Sequence, residues 1–252
     1  MEIKGKKAVI VGGASGMAKA SAELLAEKGA SIAIVDLPTS AGAEVAKSLG
    51  GSFHPIDVTD FEGSEVVLDE AVEALGGLHI SVNTAGGGAA QRTMTKEGPH
   101  DLDLFRRTID LNLISSFNIS RLAAAHMTKN EPEDDERGVI INTASIAAFE
   151  GQIGQVAYTA AKAGIAGMTL SMARDLGSLG IRVLSIAPSL FSTGITKGIP
   201  DEFAEVLTKD TAFPKRMGRP EEYGKLAVAI VENPMLNGSC IRLDAGQRFA
   251  PK

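Results

Sequence analysis

Short apolar runs alternate with longer amphipathic stretches along this 252-residue chain. The short runs predict buried β-strands, whereas stretches with apolar positions three or four residues apart predict helices. Strands are predicted near 7–11, 31–35, 52–56, 78–82, 138–142, 181–187 and 239–243. Helices are predicted at 16–28, 40–49, 62–75, 101–128, 156–178 and 220–231.

Strands and helices that alternate at this spacing predict an α/β fold with helices on both faces of a parallel sheet. We expect a single Rossmann-fold domain over 1–252, with seven strands in the order 3-2-1-4-5-6-7. Ligands of such sheets bind at the carboxyl edge, near the switch between strands 1 and 4. Three stretches are predicted as long loops, namely 86–100, 129–138 and 189–218.

The composition excludes several classes of partner. Hydrophobic residues make up 44% of the chain, enough for a sizeable core, and the net charge of −6 gives no reason to expect nucleic-acid binding. No apolar run is long enough to cross a membrane, and no metal site is predicted. The single cysteine, Cys240, excludes an internal disulfide, and the first strand begins almost at once. We therefore expect a cytoplasmic protein without a targeting segment.

A glycine-rich turn follows the first predicted strand and opens the first helix. Gly12 and Gly16 would let backbone N–H groups approach a pyrophosphate at the positive end of the helix dipole. Asp36 ends the second strand 20 residues beyond Gly16, where a carboxylate accepts hydrogen bonds from adenosine ribose hydroxyls and repels a 2′-phosphate. The pattern therefore favours NAD over NADP. The alternative roles of Asp36 are a solvated loop acid or a helix N-cap.

Ser145, Tyr158 and Lys162 carry the candidate chemistry. Tyr158 and Lys162 are four residues apart and share one helix face, and Ser145 lies 13 residues before Tyr158 at a strand end. A tyrosine has a reference pKa of about 10, and a nearby ammonium favours its phenolate. A serine hydroxyl can hold the substrate oxygen while the phenol exchanges a proton with it. This set suits alcohol/carbonyl redox chemistry beside a bound hydride carrier.

Other polar and small residues fall at predicted strand ends, where one elongated cofactor would lie. Asn112 stands among apolar residues of a helix, and it is either a satisfied core amide or a functional relay. The remaining candidates are Asp57, Val58, Asn83, Thr84, Ala85, Gly86, Pro188, Phe191 and Thr193.

These motifs together resemble the short-chain dehydrogenase/reductase family over essentially the whole chain. The motifs are Gly12-x3-Gly16, Asn83-Thr84-Ala85-Gly86, Asn112, Ser145 and Tyr158-x3-Lys162. Within that family the chain is similar to the type 2 3-hydroxyacyl-CoA dehydrogenase branch, also called type 10 17β-hydroxysteroid dehydrogenases. The loop at 129–138 and the segments ARDLGSLGIRVLSIAPSLF and NPMLNGSCIRLDAGQR carry this closer likeness.

The resemblance implies a role for each matching position. Tyr158 would be the acid–base group, Lys162 would hold the nicotinamide ribose, and Ser145 would orient the substrate, with Gln155 lining its pocket. Asn112 completes the predicted catalytic set. The implied cofactor site consists of Gly12, Ser15, Gly16, Met17, Asp36, Asp57, Val58, Asn83, Thr84, Ala85, Gly86, Tyr158, Lys162, Pro188, Phe191 and Thr193.

The implied function is NAD-dependent interconversion of 3-hydroxyacyl-CoA and 3-oxoacyl-CoA by a homotetramer. Alternatives are an NADPH-linked 3-oxoacyl-carrier-protein reductase, a hydroxysteroid dehydrogenase, or a non-enzymatic cofactor-binding interaction protein. Apolar residues within 189–218 predict a lid over an acyl chain, among them Ile195, Ile199, Phe203 and Val206. The cationic side chains there would either meet CoA phosphates or be solvated, and they are Lys197, Lys209, Lys215 and Arg216.

Overall fold

A seven-stranded parallel sheet forms the centre of the molecule, with strands in the order β3-β2-β1-β4-β5-β6-β7. The computed structural model describes residues 1–193 and 207–251. The strands are β1 (Lys7–Val11), β2 (Ser31–Asp36), β3 (Ser52–Pro55), β4 (Ile80–Asn83), β5 (Gly138–Thr143), β6 (Ile181–Pro188) and β7 (Cys240–Leu243). The predicted fold class and strand order are confirmed.

Helices cover both faces of the sheet, because the inner strands are apolar on both sides. The helices are α1 (Gly16–Glu27), α2 (Gly42–Ser48), α3 (Phe61–Leu75), α4 (Leu102–Ile109), α5 (Ser115–Met127), α6 (Val156–Gly177) and α7 (Pro220–Glu232). One core cluster joins α1, α2 and α7 to the sheet, and a second joins α3, α5 and α6 to the other face. Two aspartates are N-caps of helices. Asp60 accepts a hydrogen bond from Gly63 N at the start of α3, and Asp101 accepts one from Asp103 N at the start of α4.

The parallel register brings the carboxyl ends of the central strands to one edge. Val11 of β1 lies beside Asn83 of β4, and Asn83 lies beside Asn142 of β5. The glycine turn after β1 and Ser145 after β5 therefore open onto the same edge, at the point where the strand order reverses.

One predicted helix differs from expectation. The stretch 101–128 consists of α4 and α5 joined by a π-helical segment, Asp110–Ile114, with Asn112 at its centre. Such π segments are rare and are found frequently at functional sites. Within residues 1–193 and 207–251, no helix has the length and apolar character that a bilayer crossing demands.

Candidate active site

The glycine turn leaves room beside the ends of β1 and β4. Gly12 and Gly16 have φ angles of +80° and +55°, a backbone region that favours glycine. A Cβ atom added to Gly12 would lie 2.8 Å from Thr84 Oγ1, and one added to Gly16 would lie 3.1 Å from Thr193 Cγ2. Larger residues at these positions would collide with Thr84 and Thr193, so only glycine lets the turn pack this closely against them.

A cavity of ≈ 580 Å³ runs along this edge of the sheet. Its lining includes eleven of the predicted cofactor residues: Gly12, Ser15, Gly16, Met17, Asp36, Asp57, Val58, Thr84, Ala85, Gly86 and Thr193. Leu37, Ile56 and Leu111 also line it and were not predicted. Each directly precedes or follows a predicted site residue in the sequence, and this adjacency was the only signal available.

Asp36 is held at the rim of the cavity by the backbone. Its Oδ2 accepts a hydrogen bond from Ala14 N at 2.9 Å, and its Oδ1 accepts one from Leu37 N at 2.7 Å. Each carboxylate oxygen has a second acceptor site. The fixed carboxylate can therefore receive two ribose hydroxyls without reorganising.

Asp57 and Val58 form the wall at the end of β3. Asp57 Oδ1 accepts hydrogen bonds from Thr59 N at 2.9 Å and Thr59 Oγ1 at 2.7 Å, which leaves Oδ2 for an outside donor. Val58 is buried and contributes apolar surface to the cavity. The Asp57 carboxylate can accept a hydrogen bond from the edge of a flat ring, and the Val58 side chain can pack against the face of that ring.

Gly86 connects the cavity to the catalytic residues. A Cβ atom on Gly86 would lie 2.6 Å from Asn112 Oδ1 and 3.3 Å from Lys162 Nζ. One added to Gly88 would lie 3.2 Å from Tyr158 Cδ2. The glycine backbone therefore passes directly over the lysine and the tyrosine ring.

Lys162 is buried beside Tyr158. Its Nζ donates a hydrogen bond to Thr143 O at 2.8 Å, at the end of β5, and lies 5.6 Å from the centre of the Tyr158 ring. Burial lowers the pKa of Lys162 to about 8, because the charged form is poorly solvated. The ammonium thus stays close to its site of action but is easier to deprotonate than an exposed lysine.

Ser145 and Tyr158 converge as the spacing predicts. Ser145 precedes the 3₁₀ turn Ile146–Ala148, and its Oγ accepts a hydrogen bond from Ala147 N at 3.1 Å. Burial raises the pKa of the Tyr158 hydroxyl, and the Ser145 hydroxyl opposes that shift. The net direction is upward, so the lowered pKa that the sequence suggested is not found in the chain alone.

Asn112 braces the loop that covers the site. Its side-chain amide donates to Gly87 O at 2.7 Å and Thr108 O at 2.8 Å, and its Oδ1 accepts from Gly87 N at 3.2 Å. These contacts make it a satisfied core amide, one of its two predicted roles. A relay role for Asn112 stays a prediction.

The other predicted residues lie outside the cavity lining. The Asn83 side chain is buried and has no hydrogen-bond partner among the described residues, while its carbonyl accepts a bond from Thr143 Oγ1. Pro188 ends β6, and Phe191 is buried against Gly218, where a separate cavity of ≈ 210 Å³ begins. The Gln155 amide donates to Gln152 Oε1.

The expected lid is only partly described. Ile195, Lys197, Ile199, Phe203 and Val206 lie outside the described residues. Among the described cations of that stretch, the guanidinium of Arg216 donates to both carboxylate oxygens of Glu222, at 2.6 and 2.9 Å, so its charge is already matched. Lys209 and Lys215 are exposed.

Comparison with known proteins shows the family of this chain. The chain matches the family described as enoyl-(acyl carrier protein) reductase over residues 12–248. It is 47% identical over 254 residues to a 3-hydroxyacyl-CoA dehydrogenase type-2 of Drosophila melanogaster, an alignment that covers 99% of this chain and 100% of that protein. The chain belongs to the short-chain dehydrogenase/reductase family. A 3-hydroxyacyl-CoA dehydrogenase type-2 of Homo sapiens is 48% identical, with 99% and 97% of the two chains covered.

A solved structure agrees with this short-chain dehydrogenase/reductase assignment. The crystal structure of 3-hydroxyacyl-CoA dehydrogenase type-2 from Mycobacterium avium has a TM-score of 0.94 and 41% sequence identity, and the match covers 98% of both chains. The protein is therefore an oxidoreductase of a family that uses a nicotinamide cofactor. The glycine cradle at Gly12, Gly16 and Gly86, together with the fixed Asp36 carboxylate, fits such a cofactor.

Proposed function

We propose that this short-chain dehydrogenase interconverts 3-hydroxyacyl-CoA and 3-oxoacyl-CoA with NAD as its cofactor. The convergence of Ser145, Tyr158 and Lys162 at the end of a glycine-lined cavity carries the reaction type. The printed names of the relatives, which are 47–48% identical over 99% of this chain, support the substrate class.

The cofactor would be held by the turn from Gly12 to Met17 at its pyrophosphate and by Asp36 at its adenosine ribose. Asp57 and Val58 would border the adenine, and Lys162 the nicotinamide ribose. A carboxylate fixed by two backbone N–H groups cannot swing away from a 2′-phosphate, and this supports NAD over NADP. When bound, the cofactor would supply the hydride acceptor for oxidation of the alcohol and the hydride donor for reduction of the carbonyl.

The side chains manage the proton and the substrate oxygen. The Ser145 hydroxyl orients that oxygen. The Tyr158 phenolate takes the alcohol proton during oxidation, and the Tyr158 hydroxyl returns it to the substrate oxygen during reduction. An ammonium at Lys162, 5.6 Å from the centre of the Tyr158 ring, favours the phenolate over the neutral hydroxyl. Thr143 O keeps the lysine in that position through the hydrogen bond of 2.8 Å.

A substrate panel tests this proposal. Initial rates are measured with NAD⁺ and NADP⁺ on 3-hydroxyacyl-CoA thioesters of increasing chain length, including 2-methyl-branched ones, and on a hydroxysteroid. We expect the short thioesters with NAD⁺ to give the highest kcat/KM. A higher kcat/KM with NADP⁺, or with the steroid, would refute the assignment.

We further propose a homotetramer. Ile114 of the π segment, Phe117 of α5 and Leu170 of α6 are large apolar side chains that remain exposed, which supports a partner subunit over these helices. Ile165 and Met172 of α6 are instead buried in the core and are not available to a partner subunit. A reducing cytoplasm remains the proposed compartment, supported by the single cysteine.

A further inference from the structure

The C-terminal tail, residues 245–251, crosses to the loop between the catalytic serine and tyrosine. We call residues 149–155 the catalytic loop, since it joins the turn after Ser145 to the first turn of α6. Two hydrogen bonds to backbone carbonyls of the tail tie it to this loop: the backbone Ile153 N donates to Pro251 O at 3.1 Å, and the side-chain Gln152 Nε2 donates to Ala250 O at 3.3 Å.

An ionic cluster centred on Glu150 reinforces this junction. Arg242 of β7 donates from Nη1 and Nη2 to the two Glu150 carboxylate oxygens, at 2.8 and 3.1 Å. Phe249 N donates to the same carboxylate at 3.2 Å, and Arg248 lies 3.4 Å from it. A carboxylate that receives a bidentate guanidinium and a backbone N–H is fixed in direction as well as position.

Asp244 completes the cluster from the sheet side. Its Oδ2 accepts hydrogen bonds from Arg242 Nε at 2.6 Å and from Arg248 Nη1 at 3.1 Å. The Arg242 guanidinium also lies 5.2 Å from the centre of the Phe149 ring in the catalytic loop. Two cations and two anions thus balance: both arginines contact Glu150 of the loop, and Asp244 links the two arginines to each other.

The same tail also contacts residues 207–213, which belong to the predicted lid stretch 189–218. Ala245 O accepts hydrogen bonds from Ala212 N at 3.1 Å and Phe213 N at 3.2 Å. The buried Gln247 donates from Nε2 to Leu207 O at 2.9 Å. The tail therefore contacts the catalytic loop on one side and residues 207–213 on the other.

We propose that the tail is a brace that sets the substrate side of the active site, and that Glu150 and Arg242 are the positioning residues that fix it. The substrate oxygen must reach Ser145 and Tyr158, and the catalytic loop is the chain segment between them. None of these brace residues lines the cofactor cavity. The brace therefore affects the binding of the acyl substrate and does not affect the binding of the cofactor. That the substrate is an acyl-CoA rests on the proposed function.

The test compares Glu150→Gln, Arg242→Gln and the double variant with wild type. The matched control is Glu232→Gln, which neutralises a carboxylate paired with Lys28 at 2.7 Å on the far ends of α1 and α7. KM and kcat are measured with acetoacetyl-CoA and NADH, and the Kd of NADH is measured by fluorescence. Hydrogen exchange is followed in a peptide over 146–155 and in one over 7–27.

For Glu150→Gln we expect KM for acetoacetyl-CoA to rise about tenfold, because the catalytic loop no longer holds the substrate side of the site in the position that binds the acyl group. The Kd of NADH should change by less than about twofold. Exchange should rise over 146–155 and stay constant over 7–27. The double variant should be no worse than the single ones, because both remove the same brace.

Three results would overturn the proposal: an unchanged KM, additive effects of the two substitutions, or a parallel rise in KM and in the Kd of NADH. An effect of equal size in Glu232→Gln would do so as well. If wild type does not reduce acetoacetyl-CoA, the proposed function fails, and the same comparison is made with whichever carbonyl compound the enzyme does reduce.

Discussion

Lys162→Met should make the cofactor-free protein more stable while it abolishes activity. Lys162 is 3% exposed, and its ammonium has one hydrogen bond, to Thr143 O. Methionine has a similar length, adapts its shape to the surrounding core and carries no charge. The substitution therefore removes a buried charge without creating a large cavity.

The lysine pKa sets the size of the effect. Burial lowers the pKa of Lys162 from 10.5 to about 8, which at about 1.4 kcal/mol per tenfold change in proton affinity costs the folded state about 3 kcal/mol at neutral pH. The variant loses the hydrogen bond to Thr143 O, at a cost of about 1–2 kcal/mol. The net gain in the free energy of unfolding is about 1–2 kcal/mol, or roughly 2–8 °C in Tm for a chain of this size.

The gain depends on pH in a defined direction. Below pH 8 the lysine is charged in both the folded and unfolded states, so the full cost is present. Between pH 8 and 10.5 the folded state releases the proton while the unfolded state retains it, so wild-type stability rises relative to the variant. Urea unfolding, at one fixed protein concentration and without cofactor, measures the free energy of unfolding of wild type and variant at pH 7 and at pH 10.

Lys47→Met is the control, because Lys47 is exposed on α2 and its loss should have no comparable effect. A lower free energy of unfolding for Lys162→Met than for wild type at pH 7 would refute this prediction. The explanation also fails if the difference in free energy of unfolding between Lys162→Met and wild type is the same at pH 7 and pH 10, since desolvation of the Lys162 charge would then not cause the difference.

Three further predictions concern the site and the assembly. Tyr158→Phe should lower kcat by about 10³-fold while the Kd of NADH stays nearly constant, because only the exchangeable proton is lost; activity above a tenth of wild type would assign the acid–base role to another group. Asp36→Asn should reduce the preference for NAD over NADP, measured as the ratio of kcat/KM values, by at least about tenfold; an unchanged ratio would remove Asp36 as the selector. Phe117→Asp places a charge on a side chain that is 48% exposed on α5, and light scattering at micromolar concentration should show a species smaller than the tetramer; an unchanged mass would exclude this face.

Patterns of local sequence were sufficient for the fold and for most of the residues that line the cavity. Each parallel strand is an apolar run, each crossover is a helix, and ligand residues of such a sheet must follow strand ends. The glycine turn, Asp36, Asp57 and the stretch from Thr84 to Gly86 accordingly line the cavity as predicted.

Contacts between distant segments were not accessible to the same reasoning. Apolar positions at Leu111 and Leu113 suit an α-helix as well as a π segment, so the sequence did not reveal the turn that places Leu111 at the cavity. The spacing of Tyr158 and Lys162 gave their shared face but not the degree of burial, which reverses the direction of the tyrosine pKa shift. Glu150 and Arg242 are 92 residues apart, and only the folded chain brings them together.

The most direct test of the central claim follows one hydrogen atom. NADH that carries deuterium at the transferable position of its nicotinamide ring is mixed with acetoacetyl-CoA and the wild-type enzyme, and the product is analysed by mass spectrometry. We expect wild type to form 3-hydroxybutyryl-CoA with one deuterium at C3, and we expect Tyr158→Phe to form no such product on the same timescale. Absence of labelled product with wild type, or equal labelling with the variant, would contradict the central claim.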